Sequence, residues 1–254
     1  MIGTKVPVLD HGYVTLINHM GSDETIVAAA RQSTDGSFRS WEPYEKHPRG
    51  DLGFLEFLCK HRHTSPFEMC ELVCEVQAPL MVFREWHRHR TFSYNEMSGR
   101  YVQMPNQHYV PDKSRMVLQS KSNKQASAET MLDAEVADHL IEKLEREQQA
   151  IYETYEAALD HGLSREIARV NTPVSRYSRM WVKGNLRNWL QFLGLRLAPN
   201  AQQEIRVYAE VIAEFVKQLW PRTWALFEEY ELYGKRLSRT EYEEYKAWLA
   251  QRAQ

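Results

Sequence analysis

At 254 residues, 43% apolar and 26% charged, the chain has the make-up of a folded globular protein, long enough for one large domain or two small ones. A net charge of −2 and a pI near 6.6 give no bulk electrostatic reason to bind nucleic acid or a membrane surface. No run approaches the ~18 apolar residues of a membrane span, and the N-terminus has no signal-peptide apolar region, so a cytoplasmic location is expected.

Residues Tyr13 to Asn18 alternate like a strand, and Asp23 is placed to cap a helix that runs through Ile26 and Val27 to Arg31. Thr34 to Gly50, rich in Gly, Ser and Pro, reads as loop. Asp51 then caps a second helix with Leu52, Phe54, Leu55 and Leu58 on its apolar face, ending at His61 to His63. Ser65 precedes a proline and is expected in a turn. From Cys70 to Ala78 a clean alternation marks a half-buried strand. Pro79 suits the start of a short helix with Leu80, Phe83 and His87 on one face.

Tyr101 to Val110 is expected as a strand and Pro111 to Ser127 as a polar loop. A long helix follows, marked by Leu132, Val136, Leu140, Leu144, Ile151, Tyr155 and Leu159, with Gly162 as its C′ residue. A short helix over Ser164 to Val170 and a strand over Arg176 to Lys183 come next. Asn185 opens a helix through Leu195, Ala201 to Leu219 forms another, and shorter helices are expected from Arg222 onward and over Arg239 to Leu249. Two strand-bearing regions around a long helix, without regular β-α alternation, predict an α+β fold. The reading is a single domain over 1–254, with a mainly antiparallel twisted sheet flanked by long helices. No G-x-G-x-x-G follows a strand, which argues against a Rossmann dinucleotide site.

The chemistry-bearing stretch runs from Arg84 to Tyr101. Arg88, His89 and Arg90 form a cationic triplet, and seven residues separate it from Ser98, Gly99 and Arg100. Guanidinium forks suit phosphates and the carbonyl edges of flat rings, and histidine adds a group that titrates near neutrality. His61-x-His63 and His87-x-His89 lack a cysteine or carboxylate at ligand spacing, and the second pair lies among arginines, so no metal is expected. Cys59, Cys70 and Cys74 are odd in number, show no C-x-x-C spacing, and read as reduced core thiols. Ser98 lies outside a G-x-S-x-G elbow, so a ligand hydrogen bond suits it better than nucleophilic attack. A nucleic-acid module using the R-H-R-H-R run is a competing reading, against which the acidic balance weighs.

Arg88-His89-Arg90 through Ser98 resembles the signature of the flavin-dependent thymidylate synthases. Ala30-Arg31-Gln32-Ser33, His63 to Glu68, Asn185-Leu186-Arg187, Phe192 to Arg196 and Ala201-Gln202 continue the likeness in order. The resemblance implies an FAD-dependent homotetramer with active sites built across subunits. It implies methylation of dUMP to dTMP with methylenetetrahydrofolate as carbon donor and NADPH as reductant. Alkylation or hydroxymethylation of another pyrimidine nucleotide at C5 is the alternative.

Carried onto this sequence, Ser65, Arg88, His89, Arg90, Glu96, Asn185, Leu186, Arg187 and Gln191 contact FAD. Glu85, Trp86, His87, Arg88, Glu96, Met97, Ser98, Gly99, Arg100, Arg169 and Arg196 hold the nucleotide, and His63 lies near the flavin and folate. Arg196 is assigned the catalytic role, as a fixed cation for charge developing on the pyrimidine ring. The chain departs from the family pattern at Met69, Glu85, Gln191 and Asn200, where histidine, glutamine, histidine or asparagine, and histidine are respectively familiar.

Overall fold

In the computed structural model, which describes residues 1–121, 123 and 127–252, a five-stranded sheet is the frame on which the helices are laid. Its strands are β1 (Lys5–Val8), β2 (Gly12–Met20), β3 (Glu71–Pro79), β4 (Ser93–Glu96) and β7 (Tyr177–Asn185), in the order β1-β2-β3-β7-β4 with every pair antiparallel. A separate hairpin joins β5 (Val117–Gln119) and β6 (Ser127–Met131). The helices are α1 (Asp23–Arg31), α2 (Gly50–Lys60), α3 (Leu80–Trp86), α4 (Ala134–Asp160), α5 (Arg165–Ala168), α6 (Leu186–Arg196), α7 (Gln203–Leu219), α8 (Pro221–Phe227) and α9 (Arg239–Arg252). The arrangement is the expected α+β class.

The central pair is β3 with β7, in register from Glu71↔Asn185 to Pro79↔Tyr177. Leu72, Cys74, Val76 and Ala78 on β3 are fully buried and alternate with half-buried neighbours, as the period-2 pattern requires. Met180 and Val182 of β7 continue that face. Against it lie the inner face of α7, carrying Ile205, Tyr208, Ala209, Ile212 and Val216, and the inner face of α6, carrying Leu186, Trp189, Phe192 and Leu193. The opposite face of the sheet is more open. There Trp181 is 49% exposed and donates to Glu75 at 2.9 Å, which also accepts from the Tyr13 hydroxyl at 2.8 Å.

Several sequence expectations are corrected. Tyr101 to Val110 is not a strand. Tyr101 and Val102 donate back to the Ser98 carbonyl, Met104 N–H is taken by the Tyr155 hydroxyl at 3.0 Å, and Pro105 has no N–H for a ladder. Four residues of the signature, Ser93–Glu96, make the edge strand instead. Part of the expected loop Pro111 to Ser127 forms the β5–β6 hairpin, and Ser122, Lys124, Gln125 and Ala126 of that loop lie outside the described residues. Neither Asp23 nor Asp51 is an N-cap. Both sit inside the first turn with buried carboxylates aimed at distant partners, Asp23 accepting from the Thr223 hydroxyl at 2.6 Å and from the Arg222 N–H at 2.9 Å. By contrast Asn185 caps α6 as expected, its Oδ1 accepting from Asn188 N–H at 3.0 Å, and Gly162 follows α4 at φ +80°.

Candidate active site

The short helix α3 ends at Trp86, and the chain then turns through the cationic triplet into β4. The turn is pinned from both sides. The Tyr94 hydroxyl donates to the carbonyls of Trp86 at 3.0 Å and His89 at 2.7 Å, and Asn188 on α6 donates to the Thr91 carbonyl at 3.3 Å. Beneath it Phe92 packs on Trp189 at 4.6 Å between ring centroids. That contact requires Gly184 on β7, where a Cβ would lie 2.4 Å from the Phe92 ring.

At the far end of α6, Arg196 reaches back to this turn. Its Nη1 donates to Glu85 Oε2 at 2.7 Å, its Nη2 to the Glu85 carbonyl at 3.0 Å, and its Nε to His89 Nε2 at 3.0 Å. Three acceptors on two elements fix the guanidinium plane. Because Arg196 can only donate, His89 Nε2 must be the unprotonated nitrogen. Burial and the adjacent Arg196 cation push the His89 pKa down to about 4, so the ring is neutral near pH 7 with Nδ1–H free to donate. Burial pushes the Glu85 carboxyl above its ordinary value; Arg196 opposes that shift and the Glu204 carboxylate adds to it. The side chains of Arg88 and Arg90, also expected at the site, are exposed.

A second group gathers at the end of β4. Glu96 accepts from the Ser178 hydroxyl at 2.7 Å, Met97 N–H donates to the Arg179 carbonyl, and the Ser98 hydroxyl accepts from Arg100 N–H at 3.3 Å. A Cβ on Gly99 would lie 2.8 Å from Met104 Sδ and 3.2 Å from Arg169 Cδ, so these two side chains close over the glycine. Ser98, Gly99, Arg100 and Arg169 therefore do come together, with Arg100 paired to Glu166 at 3.3 Å.

A third group lines a cleft of about 860 Å³ between α1, α2 and the turn Ser65–Met69. His63 and Ser65 are on its wall, with Tyr44, Phe54 and Phe57 supplying aromatic surface and Arg31 and Arg39 positive charge. The volume is in the range of small-molecule sites. Arg187 at the start of α6 pairs with Glu68 at 2.5 Å, which links this turn to the helix carrying Arg196. The cleft residues Tyr44, Phe57 and Arg39 are absent from the sequence expectation. Phe57, one turn from Phe54 on α2, is the one that helical spacing signals.

Two of the expected contact residues lie beneath the surface of this protomer. Trp86 and Leu186 have no solvent-accessible surface. Trp86 stacks on Phe192 at 4.8 Å, and Leu186 N–H donates to the Cys70 carbonyl at 2.8 Å. Both are packing beneath the site, placed there by the same face of apolar residues that anchors α6. Gln191 is exposed on α6, and His87 is half-buried, edge-on to Tyr94 at 4.8 Å.

The thiols are buried or half-buried and supply no nucleophile. Burial pushes Cys59 up to about 12 and Cys70 up to about 11, and complete burial raises Cys74 as well. No thiolate nucleophile is available near neutrality. Among the described residues no three His, Cys, Asp or Glu side chains converge as metal ligands, and no helix is long and apolar enough to cross a membrane.

A family model described as thymidylate synthase complementing protein matches residues 15–222. A flavin-dependent thymidylate synthase of Thermus thermophilus is 46% identical over 236 residues, 93% of this chain and 83% of its own length. One from Anaplasma marginale is 42% identical over 236 residues, covering 93% and 78% respectively. Among solved structures, the UMP/dUMP methylase PolB of Streptomyces cacaoi bound with 5-Br dUMP superposes with a TM-score of 0.77 at 30% identity, covering 91% of this chain and 100% of that one. With a fixed arginine, a glycine-lined polar corner and an aromatic cleft in place of an activated cysteine, and with these likenesses spanning nearly its whole length, the chain belongs to the flavin-dependent thymidylate synthase family.

Proposed function

We propose that this chain, as a single domain over 1–254, catalyses the FAD-dependent methylation of dUMP at C5 to give dTMP. Methylenetetrahydrofolate supplies the one-carbon unit and NADPH the two electrons that reduce it to a methyl group, leaving tetrahydrofolate and NADP⁺. The observation that carries this reading is the Arg196 guanidinium, held by Glu85 and His89 beside the cationic turn.

The donor set fits FAD. Arg88, Arg90 and Arg187 offer guanidinium forks to a pyrophosphate, and neutral His89 offers an Nδ1–H to a ring carbonyl. Ser65 offers a hydroxyl in an aromatic-lined cleft wide enough for a fused ring. Bound flavin supplies hydride transfer, which neither the protein's side chains nor its buried thiols provide. The residues do the rest by position and charge. Ser98, Gly99 and Arg100, with Arg169 beside them, hold the nucleotide phosphate through hydroxyl, backbone N–H and guanidinium. Arg196 donates to the pyrimidine carbonyl edge, where negative charge must grow as C5 becomes nucleophilic, and its prior fixation means no reorganisation accompanies that step.

The three groups of residues lie at separate places on one protomer, which supports a homotetramer whose active sites draw residues from more than one subunit. The cytoplasm, where reduced folate and nucleotide pools meet reduced thiols, is the proposed location.

The test is anaerobic turnover with FAD, NADPH, methylenetetrahydrofolate and dUMP. Wild type is expected to form dTMP, and Arg196→Ala to retain FAD while losing about 10²-fold or more in kcat. Wild type that holds FAD and makes no dTMP would refute the substrate assignment. A second reading, with UMP or another pyrimidine nucleotide as acceptor, is favoured by the likeness to the UMP/dUMP methylase. Parallel turnover of UMP and dUMP separates the two.

A further inference from the structure

Residues 32–49, between α1 and α2, have little regular structure, yet they form one wall of the cleft. Beside the Glu24 carboxylate, which accepts from Trp41 Nε1 at 2.6 Å, one fully buried carboxylate holds them at several points. Asp51, in the first turn of α2, has no solvent-accessible surface and uses both oxygens. Oδ1 accepts from Arg31 Nη2 at 2.5 Å and from the Tyr44 hydroxyl at 2.6 Å; Oδ2 accepts from Arg31 Nη1 at 3.1 Å and from Arg39 N–H at 2.7 Å. The Asp51 N–H donates to the Ser40 carbonyl at 2.8 Å. Arg31 in turn donates to the Ser37 carbonyl at 2.9 Å and to the Tyr44 hydroxyl at 2.6 Å. One buried anion thus ties the end of α1, three points of the loop and the start of α2. The preceding Gly50 makes the turn at φ +54°, where a Cβ would lie 2.4 Å from the Trp41 carbonyl oxygen.

Burying a carboxylate is costly and persists only where every lone pair is answered. Burial alone would raise the Asp51 carboxyl; the Tyr44 hydroxyl, Arg39 N–H and Arg31 guanidinium together hold it below the usual carboxylate range. An exposed Ser or Asp would start a helix at far less cost. The costly arrangement stands where its own partners, Arg31, Arg39 and Tyr44, face the cleft beside His63 and Ser65. Arg31 also lies over the Phe54 ring at 5.3 Å, so the same cation fixes part of the aromatic lining.

We propose that Asp51 is a positioning residue for this cleft, holding Arg31, Tyr44 and the backbone of residues 37–40 as a preformed wall for a flat fused-ring ligand, the isoalloxazine of FAD or the pterin of the folate. The proposal rests on the function proposed above and adds to it a residue that touches neither ring. A wall ordered in advance spends none of the ligand's binding energy on ordering a loop.

The test compares full-length wild type with Asp51→Asn and Tyr44→Phe. FAD affinity is read by flavin fluorescence titration, and KM for methylenetetrahydrofolate and kcat by turnover at saturating FAD. Asp51→Asn is expected to weaken one of the two rings by about tenfold or more while kcat at saturation changes less than about threefold. Tyr44→Phe, which removes one hydroxyl committed to Asp51 and Arg31, is expected to weaken the same ring by about two- to fivefold. A change confined to FAD assigns the wall to the isoalloxazine, and one confined to the folate KM assigns it to the pterin. If both variants bind both rings as wild type does and differ only in melting temperature, Asp51 is structural alone and the proposal fails. Should Asp51→Asn not fold, Tyr44→Phe decides by the same criterion. Wild type that takes up neither ring overturns the proposed function and this proposal with it.

Discussion

At the scale of single residues the active region is organised by what surrounds Arg196. An arginine alone on a surface gains little from any one partner, but here three acceptors hold one guanidinium in a half-buried corner. Removing the Glu85 carboxylate leaves the Glu85 carbonyl and His89 as the only two of those acceptors. Glu85→Ala is therefore expected to lower kcat/KM for dUMP by about tenfold, with Glu85→Gln intermediate because it keeps an acceptor oxygen; steady-state turnover of the flavin-loaded variants measures both.

His89 carries a pH prediction. Its folded-state pKa of about 4 lies below the unfolded value of about 6.5, so between these values the unfolded chain binds a proton that the folded chain refuses. Stability is then fully present above about pH 6.5 and is lost as pH falls toward 4. Urea unfolding at stepped pH should show a steeper decline over that window for wild type than for His89→Gln, which accepts from Arg196 without titrating. Equal slopes would remove His89 from the account. Arg196 and His89 were both legible as site residues in the sequence through the motif. Their contact was not, because 107 positions separate them and only the return of α6 joins them.

At the scale of elements, β7 and α6 do most of the positioning. Asn185 ends the strand and caps the helix, so one residue sets the direction of Arg187, Gln191 and Arg196. Gly184 just before it leaves room for Phe92, whose ring supports the cationic turn from below. Gly184→Ala places a methyl 2.4 Å from that ring, so the Phe92 side chain must shift. The expected cost is about 1–3 kcal/mol in chemical denaturation, accompanied by weaker FAD retention, since displaced Phe92 no longer supports His89. Unchanged stability would mean that Phe92 moves freely. The expected strand at Tyr101 to Val110 failed for an instructive reason. Its aromatic and apolar side chains suit a sheet, but Met104 and Tyr109 are instead buried against α4 and the Glu204 carboxylate, a competition that local pattern does not contain.

At the scale of the whole molecule, the open face of the sheet and the dispersal of the site point the same way. Trp181 on β7, Val170 and Val174 before it and Tyr101 after the signature are large apolar side chains exposed at 49%, 83%, 56% and 77%. If active sites are shared between protomers, two inactive variants that lose different parts can repair each other. Ser98→Ala and Arg187→Ala, each without activity alone, are expected to recover part of the wild-type rate when co-expressed and purified as mixed oligomers. No recovery in a verified mixed oligomer would place a full site within one chain.

What the sequence determined by itself is what depends on neighbours along the chain. Period-2 burial over Cys70 to Ala78, the cap at Asn185, the stop at Gly162 and the inert character of the three thiols all follow from local pattern and composition, and the order of several spaced motifs marks the family. What only the tertiary structure decided is pairing between distant charges. Asp51 reads as a helix cap until Arg31, Tyr44 and the Arg39 backbone close around it, and the pairing of Glu85 with Arg196 exists only because α6 brings the two together. The reason is physical: a carboxylate's local propensity is satisfied as well by water as by protein, so whether it is buried is set by which cations the fold delivers to it.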